Sequence, residues 1–268
     1  LTGNYTAGLF DRTFSGCSNL TGNLPDELFV DLSGTPKQCM FNATFQNASK
    51  LEGNIPDAFF NTFDGAPADY MFRSTFSGCY GLYGEIPSNL FAGVNGAPAK
   101  EMYDSTFSGC SRLTDAIPDG LFGTFTGAPA ERMFAYTFNG CSGLKGSIPG
   151  DLFAGVNGRP AQYMYNRTFE NCSGLTGAIP DGLFGTFTGS PAEDMFSGTF
   201  YNCRGLGTNI SDENIKYVGF FTHRTNTFFE PYLETVYDET IQDDRATFSR
   251  WCAIVSTTPR SPRFNGSP

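Results

Sequence analysis

Histidine and tryptophan are almost missing from this sequence of 268 residues, which contains a single example of each, His223 and Trp251. A lone histidine without a nearby nucleophile pattern is more often structural or exposed than catalytic. The sequence also has no Gly-X-Ser-X-Gly motif, no phosphate-binding loop and no histidine cluster. We therefore expect no catalytic residue, no cofactor and no enzyme activity.

Positive charge and long apolar runs are scarce as well. Lysine and arginine number 17 against 27 acidic residues, which gives a formal net charge of −10. Nucleic-acid binding needs clustered cations that displace counterions from phosphates. A membrane-spanning helix needs about 18 or more consecutive apolar residues, and no run approaches that length. The sequence therefore predicts no nucleic-acid partner and no membrane insertion.

Glycine and phenylalanine are abundant instead, with 32 and 28 residues. They belong to a repeat whose register is marked by a Thr-Phe pair at a fixed interval of 31 residues. The pair begins at Thr13, Thr44, Thr75, Thr106, Thr137, Thr168 and Thr199. A fixed period of this size is typical of a solenoid, in which each unit packs on the next.

Each unit contains the pattern Leu-Thr-Gly-X-Ile or a close variant. Its apolar ends and internal alternation predict a short strand of about five residues. The pattern occupies residues 20–24, 51–55, 82–86, 113–117, 144–148 and 175–179. Proline follows each copy at once, and it ends the strand because it has no N–H group to donate.

Two short helices are predicted after each strand. In the first unit, Pro25 stands at a first helical position, with Asp26 and Glu27 in the first turn. A glycine breaks this helix, and a second proline opens a longer one. In the stretch 191–203 the apolar residues have the spacing of a single helical face. The sequence thus predicts a strand, a helical turn and a helix in each unit.

A second pattern repeats every 62 residues. After the Leu-Phe pair, the units alternate between a small and a large form of the same stretch. The residues that differ are Leu32, Val94 and Val156 in the small form and Phe63, Phe125 and Phe187 in the large form. Large residues that face small ones would let neighbouring units interdigitate. Recent duplication of a two-unit segment would produce the same alternation, and both explanations stay open.

Six cysteines share one position of the repeat. They are Cys17, Cys79, Cys110, Cys141, Cys172 and Cys203, and Ala48 takes this position in the second unit. A metal site needs ligands that converge on one point, whereas this spacing spreads the thiols along a row. We expect buried free thiols, with disulfides between adjacent units as the alternative. Cys39 and Cys252 lie outside the row.

A row of aspartates follows the strand prolines, at Asp26, Asp57, Asp119 and Asp181. Two interpretations are possible. Carboxylates in a row are able to hold calcium. Acids in a first helical turn also stabilise the positive end of a helix, and this second interpretation is favoured.

Eight Asn-X-Ser/Thr sequons are present, at Asn4, Asn19, Asn42, Asn47, Asn166, Asn171, Asn209 and Asn265. They accept glycans only in a glycosylating secretory route. A composition this rich in Asn, Ser and Thr also creates such sequons by chance. Both origins stay open.

The repeat resembles a known family. The segment from Phe107 through Cys110 to Leu113, followed by Ile117-Pro118, resembles the leucine-rich repeats of the BspA-like class of bacterial and protist surface proteins. The Leu-Thr-Gly-X-Ile-Pro element is also similar to plant-type repeats. The resemblance covers residues 1–210. It implies an extracellular or cell-surface protein that recognises other macromolecules, as in adhesion.

The expected fold is an α/β solenoid built as a curved leucine-rich-repeat array. Parallel strands stack about 4.8 Å apart and helices about 8–10 Å apart, so strands are predicted on the concave face and helices on the convex face. We divide the chain into an abbreviated first unit (1–19), the solenoid (20–210), an aromatic-rich C-terminal cap (211–255) and an extended tail (256–268).

Two strand positions differ among units while the apolar positions do not. With Leu, Gly and Ile directed inward, the Thr and X positions are expected on the concave surface. The predicted partner-binding strip consists of Glu52, Asn54, Tyr83, Glu85, Lys145 and Ser147. Its partners would be other proteins or surface glycans. A solvated sheet face without a ligand is the other interpretation.

The cap is larger than an end-covering segment needs to be. Its aromatic residues Phe228, Phe229, Tyr232 and Trp251 are therefore candidates for assembly. They suggest an alternative function, in which the partner is the protein itself. In that case the chain is a structural subunit that assembles end to end into an extracellular filament or layer.

Overall fold

The fold is seen in a computed structural model, which describes residues 5–207 except 30, 58, 61, 123 and 124, and of Thr186 only the backbone. The predicted cap (211–255) and tail (256–268) lie outside the described residues. The same is true of the four assembly candidates, Phe228, Phe229, Tyr232 and Trp251.

Six strands of two residues each are present among the described residues. They are β1 (Gly22–Asn23), β2 (Leu51–Glu52), β3 (Asn157–Gly158), β4 (Gly177–Ala178), β5 (Thr186–Phe187) and β6 (Leu206–Gly207). They pair in parallel, β1 with β2, β3 with β5 and β4 with β6. Each pair joins one unit to the next, as where Gly22 lies opposite Leu51.

Parallel pairing follows two separate lines along the stack. In the first line, the leucine ladder, the Leu of the Leu-Thr-Gly pattern lies opposite a glycine of the preceding unit. It comprises the β1–β2 and β4–β6 pairs and the bridges Gly53–Leu82, Gly84–Leu113 and Gly146–Leu175. The second ladder comprises the β3–β5 pair and the bridges Gly34–Phe63, Gly65–Val94, Gly96–Phe125 and Gly127–Val156.

The second ladder runs through the stretch that follows the Leu-Phe pair, where the sequence predicted the end of the first short helix. The proline before it opens a single β-turn, in which Leu90 N–H donates to the Pro87 carbonyl oxygen at 3.1 Å. The chain is then extended at Val94, where it pairs with Gly65 of the preceding unit. Main-chain bonds to a neighbouring unit thus replace bonds within a helix.

A third segment of each unit, which we call the turn ribbon, also differs from the expected helix. It covers residues 8–17, 39–48, 70–79, 101–110, 132–141, 163–172 and 194–203, none of which is helical. Within it, N–H groups alternate between two kinds of partner. Asn42 N–H donates to Cys39 of its own unit at 3.2 Å, whereas Phe41 N–H donates to Met71 of the next unit at 2.9 Å.

Left-handed residues explain why the ribbon is not a helix. Cys39, Ala43 and Asn47 have φ angles of 55°, 52° and 60°, and the same spacing of four residues recurs in the other units. A right-handed helix needs negative φ at every residue. The apolar spacing at Met195 and Phe200 suits both structures, but bonds between units favour successive β-turns.

Because residues 5–207, as far as they are described, contain no helix, the argument for curvature no longer applies to the repeat units. It rested on strands that are more closely spaced than helices. In the structure the turn ribbon is joined to the next unit by main-chain hydrogen bonds, just as the two ladders are. The predicted helix caps are lost for the same reason, because Asp57 lies within a β-turn, in which Phe59 N–H donates to the Pro56 carbonyl oxygen at 3.2 Å.

Three columns of aromatic rings form the core. In the first column, the phenylalanines of the Thr-Phe pairs stack from Phe14 to Phe200 with centroids 5.4 to 5.9 Å apart. The second runs from Phe10 to Phe196 and the third from Phe29 to Phe184. Burial of these rings between units is the main source of stability.

The large form of the 62-residue pattern fills space beside the preceding unit. The Phe63 ring lies 5.5 Å from Phe41, edge to face. Phe125 and Phe187 reach back in the same way, to Tyr103 at 6.5 Å and Tyr165 at 6.4 Å. Those preceding units carry the small form of the stretch. Interdigitation between units therefore gives the alternation a physical role.

Candidate functional site

The repeated threonine and cysteine side chains bind neighbouring units together. Thr75 Oγ1 lies 2.9 Å from the carbonyl oxygen of Phe41 in the preceding unit, to which it donates. Cys79 Sγ donates to the Phe45 carbonyl at 3.0 Å. The bond recurs at 2.8 to 3.1 Å for Cys110, Cys141, Cys172 and Cys203. The motif is thus structural.

The cysteines of this row are free, and all but the first are buried. Cys79, Cys110, Cys141, Cys172 and Cys203 are buried and unbridged, whereas Cys17 is exposed, so the prediction of a buried thiol is wrong there. Burial raises the pKa of Cys79 and of Cys203 to about 12. A protonated thiol is neither a nucleophile nor a metal ligand. Among the residues that the structure describes, no three His, Cys, Asp or Glu side chains form a group suited to a metal ion.

The six residues of the predicted strip are exposed along the leucine ladder. Glu52 lies in β2, and Tyr83 has 43 % of its surface accessible. The glycine between the two exposed strand positions was expected to face the core. In the structure it faces a side chain of the preceding unit instead. Gly53 has φ +86°, and a Cβ there would lie 2.6 Å from Asn23 Oδ1 of the preceding unit. Glycine therefore leaves room for the asparagine amide.

The same arrangement recurs one unit later, where a Cβ at Gly84 would lie 2.5 Å from Asn54 Oδ1. The two amides thus occupy equivalent places on the ladder. Each rests against the bare backbone of the next unit and does not extend freely into water. This contact restricts the side chains of Asn23 and Asn54 before any ligand binds.

A shallow recess of about 450 Å³ opens at this end of the leucine ladder. It is lined by Asn23, Leu24, Asp26, Gly53, Asn54, Ile55, Pro56, Asp57 and Tyr83. Two residues of the predicted strip, Asn54 and Tyr83, therefore share one site. Glu52, Glu85, Lys145 and Ser147 do not line it.

Three further polar residues line the recess. Asn23 was expected on the same strand face as Asn54, because the two share a repeat position, but it was not among the six residues selected for the strip. Asp26 and Asp57 were noticed as a row but were interpreted as helix caps. Because no helix forms there, both carboxylates are exposed beside the recess.

The polar side chains of the recess are unpaired. Asn23, Asn54, Asp26 and Asp57 form no side-chain hydrogen bond or ion pair with any other described residue. Their amide and carboxylate groups are therefore available to a ligand.

The turn ribbon shows the opposite behaviour, because its polar side chains bond to each other across units. Asn42 Nδ2 donates to Asp11 Oδ1 at 2.8 Å, and Asn139 Nδ2 donates to Glu170 Oε2 at 2.7 Å. In the same way, Arg132 pairs with the buried carboxylate of Asp104 at 2.9 Å. These polar side chains join neighbouring units, so fewer of them are available to bind another molecule.

Arg112, at the end of the unit that begins at Leu82, supports the aromatic rim of the recess. The Arg112 guanidinium carbon lies 5.5 Å from the centroid of the Tyr83 ring. A cation over an aromatic face at this distance is attracted to the ring. The contact restricts the ring and leaves 43 % of Tyr83 accessible.

Comparison of the chain with protein-family models, curated proteins and solved structures found no match. No helix of membrane-spanning length and hydrophobicity occurs in the described residues. The leucine-rich-repeat interpretation thus depends on the motifs of the chain itself.

Proposed function

We propose that this chain is a non-catalytic recognition module of the leucine-rich-repeat, BspA-like kind, located outside the cell or on its surface. It binds other macromolecules through the leucine-ladder face. One observation carries the proposal: the polar side chains of the recess are unpaired, whereas polar side chains of the turn ribbon are bonded to each other.

The rigid backbone of this face favours binding. Each ladder position is joined to its neighbours by main-chain bonds, as where Tyr83 N–H donates to the Gly53 carbonyl at 3.0 Å. A surface fixed in this way loses little conformational entropy when a ligand binds. The residues on it differ from unit to unit, as at Glu52, Tyr83 and Lys145, so each part of the face offers different chemistry.

The chemistry of the buried groups supports a role without catalysis. Five thiols of the cysteine row are buried, which favours their protonated form, and the sequence contains no activated nucleophile pattern. The alternative function, end-to-end assembly through Phe228, Phe229, Tyr232 and Trp251, rests on residues outside the described part of the chain.

The test is to remove recess side chains one at a time and measure binding. Full-length chain is passed over arrays of surface glycans and extracellular proteins, and each captured ligand is titrated. Tyr83→Ala and Asn54→Ala should each weaken binding by about tenfold or more, the value of one well-placed contact.

Tyr201→Ala is the matched control, because Tyr201 is 56 % exposed but lies on the turn ribbon. It should bind like the unsubstituted chain. Equal unfolding midpoints for all variants would show that the fold is intact. If both recess variants bound every captured ligand as tightly as the control, the assignment of this face would be wrong.

A further inference from the structure

We infer that the recess binds a neutral carbohydrate, through hydroxyl groups held by Asn23, Asn54, Asp26 and Asp57 and a sugar face packed on Tyr83. This inference rests on the proposed recognition function and narrows its ligand from proteins or glycans in general to one chemical class.

The mixture of hydrogen-bonding groups indicates hydroxyls. An asparagine amide both donates and accepts, whereas an ionised aspartate only accepts. A sugar hydroxyl also donates and accepts, so it can satisfy both residue types at once. A lysine or arginine side chain only donates, and it would leave the NH₂ groups of Asn23 and Asn54 unused.

The recess repeats this chemistry in two consecutive units. Asn23 and Asn54 stand 31 residues apart in the repeat, as do Asp26 and Asp57. Parallel-paired segments lie about 4.8 Å apart, which is comparable with the rise per sugar of an extended oligosaccharide. Successive sugars of one chain would therefore meet equivalent groups on successive units.

Apolar surface beside these groups suits the less polar face of a sugar ring. The buried side chains of Leu24 and Ile55 lie beneath the recess, and Pro56 borders it. The half-exposed Tyr83 ring stands at the rim, restrained by Arg112. An aromatic ring and a row of C–H groups bury apolar area when they pack face to face.

Despite Arg112 at the rim, carboxylates outnumber cations around the recess, which disfavours acidic sugars. Asp26 and Asp57 line the recess, and the exposed carboxylates of Glu52 and Glu85 lie on the same ladder face. Sulfated or uronic-acid glycans would place like charges against these groups, which disfavours their binding. The same negative charge would attract a basic peptide, and the experiment must separate that ligand from a neutral sugar.

The experiment uses the full-length chain and three probes, measured by titration calorimetry. They are a panel of neutral gluco- and manno-hexasaccharides, a heparin fragment and a lysine-rich peptide. At least one neutral hexasaccharide should bind saturably, and heparin should not bind. Tyr83→Ala should weaken sugar binding by about tenfold or more, while Tyr201→Ala should leave it unchanged.

Asn54→Asp separates the two ligand classes, because it keeps the shape of the side chain, removes its donors and adds negative charge. It should weaken sugar binding by about tenfold or more.

The carbohydrate inference would be overturned, and the recognition function retained, if the peptide bound instead, Tyr83→Ala weakened peptide binding and Asn54→Asp strengthened it. Absence of binding by every neutral hexasaccharide would also overturn the inference. If another ligand from the arrays bound independently of all recess variants, the recognition face itself would be refuted.

Discussion

Two tyrosines stand where the repeat otherwise has phenylalanine, in the second aromatic column. Tyr103 and Tyr165 are fully buried, and their hydroxyl groups have no hydrogen-bond partner among the described residues. Both belong to units with the small form, which carry Val94 and Val156. The unpaired hydroxyls are costly, because a buried polar group without a partner loses its hydration.

We predict that Tyr103→Phe stabilises the protein by about 1 kcal/mol, since it removes a buried unpaired hydroxyl and keeps the ring. The measurement is urea unfolding followed by circular dichroism. Tyr136→Phe, on the turn ribbon, serves as the comparison and should change the free energy of unfolding by less than about 0.5 kcal/mol. A loss of 1 kcal/mol or more in Tyr103→Phe would show that the hydroxyl is satisfied.

At the scale of the element, the turn ribbon explains why cysteine and threonine recur. Both side chains donate to carbonyl groups of the preceding unit, so each ribbon is joined to its neighbour by side-chain as well as main-chain bonds. Ala48 fills the cysteine position with no exposed surface, which shows that the fold tolerates the loss of one thiol.

The buried thiols make the stability of the ribbon depend on alkaline pH. The pKa of Cys79 is raised from 9.0 to about 12 by burial. Above pH 9 the unfolded chain therefore releases this proton while the folded chain keeps it. The contribution is complete below pH 9 and is lost as the pH rises toward 12, by about 1.4 kcal/mol per pH unit.

Cys79→Ala tests this dependence, with urea unfolding under reducing conditions between pH 7 and pH 11. At pH 7 the variant should be less stable by about 1 kcal/mol, because it loses the bond to Phe45. The difference should narrow above pH 9 and change sign before pH 11, because the loss of about 1.4 kcal/mol per pH unit then exceeds the contribution of the hydrogen bond. Thr75→Val removes a donor but no titratable group, so its difference from the unsubstituted protein should stay constant. A constant difference for Cys79→Ala as well would contradict the prediction.

At the scale of the whole molecule, the units are packed in alternating pairs. The large residue of one unit fills space beside an aromatic ring of the preceding unit, whose own residue at that position is small. Two large units in succession would therefore crowd one interface, and two small units would leave another underpacked.

Deletions of whole units test this alternation. Removal of residues 82–112, a single 31-residue unit, would bring two large units together. Removal of residues 82–143, two units, would preserve the alternation although it shortens the chain more. We predict that the single-unit deletion gives the lower unfolding temperature. A higher unfolding temperature for the single-unit deletion would indicate that the alternation reflects duplication without a packing role.

Several features followed from local sequence alone. The 31-residue spacing defines which residues stack, because units that lie in register bring equivalent side chains together. Phe45, for example, stacks on Phe76. The prolines mark where each ladder segment ends, since they cannot donate to a neighbour. The exposure of Glu52 and Tyr83 followed from their place between apolar positions.

The replacement of the predicted helices by β-turns did not follow from local sequence. Residues such as Met195 and Phe200 have a spacing that fits both a helix and a series of β-turns, and only the positions of the neighbouring units distinguish the two. In the turn ribbon, alternate N–H groups find acceptors in the next unit. The recess could not be predicted from local sequence either, because Asn23, Asp57 and Tyr83 belong to three different units and only the stacking of those units brings them together.

The sequence by itself therefore determined the period, the buried side chains and the residues that differ between units, because these depend on apolar pattern and composition. Only the tertiary structure decided the backbone of each unit and the place where its polar groups remain unpaired. The physical reason is that every backbone N–H and C=O needs a partner, and here many of those partners lie one unit away along the chain.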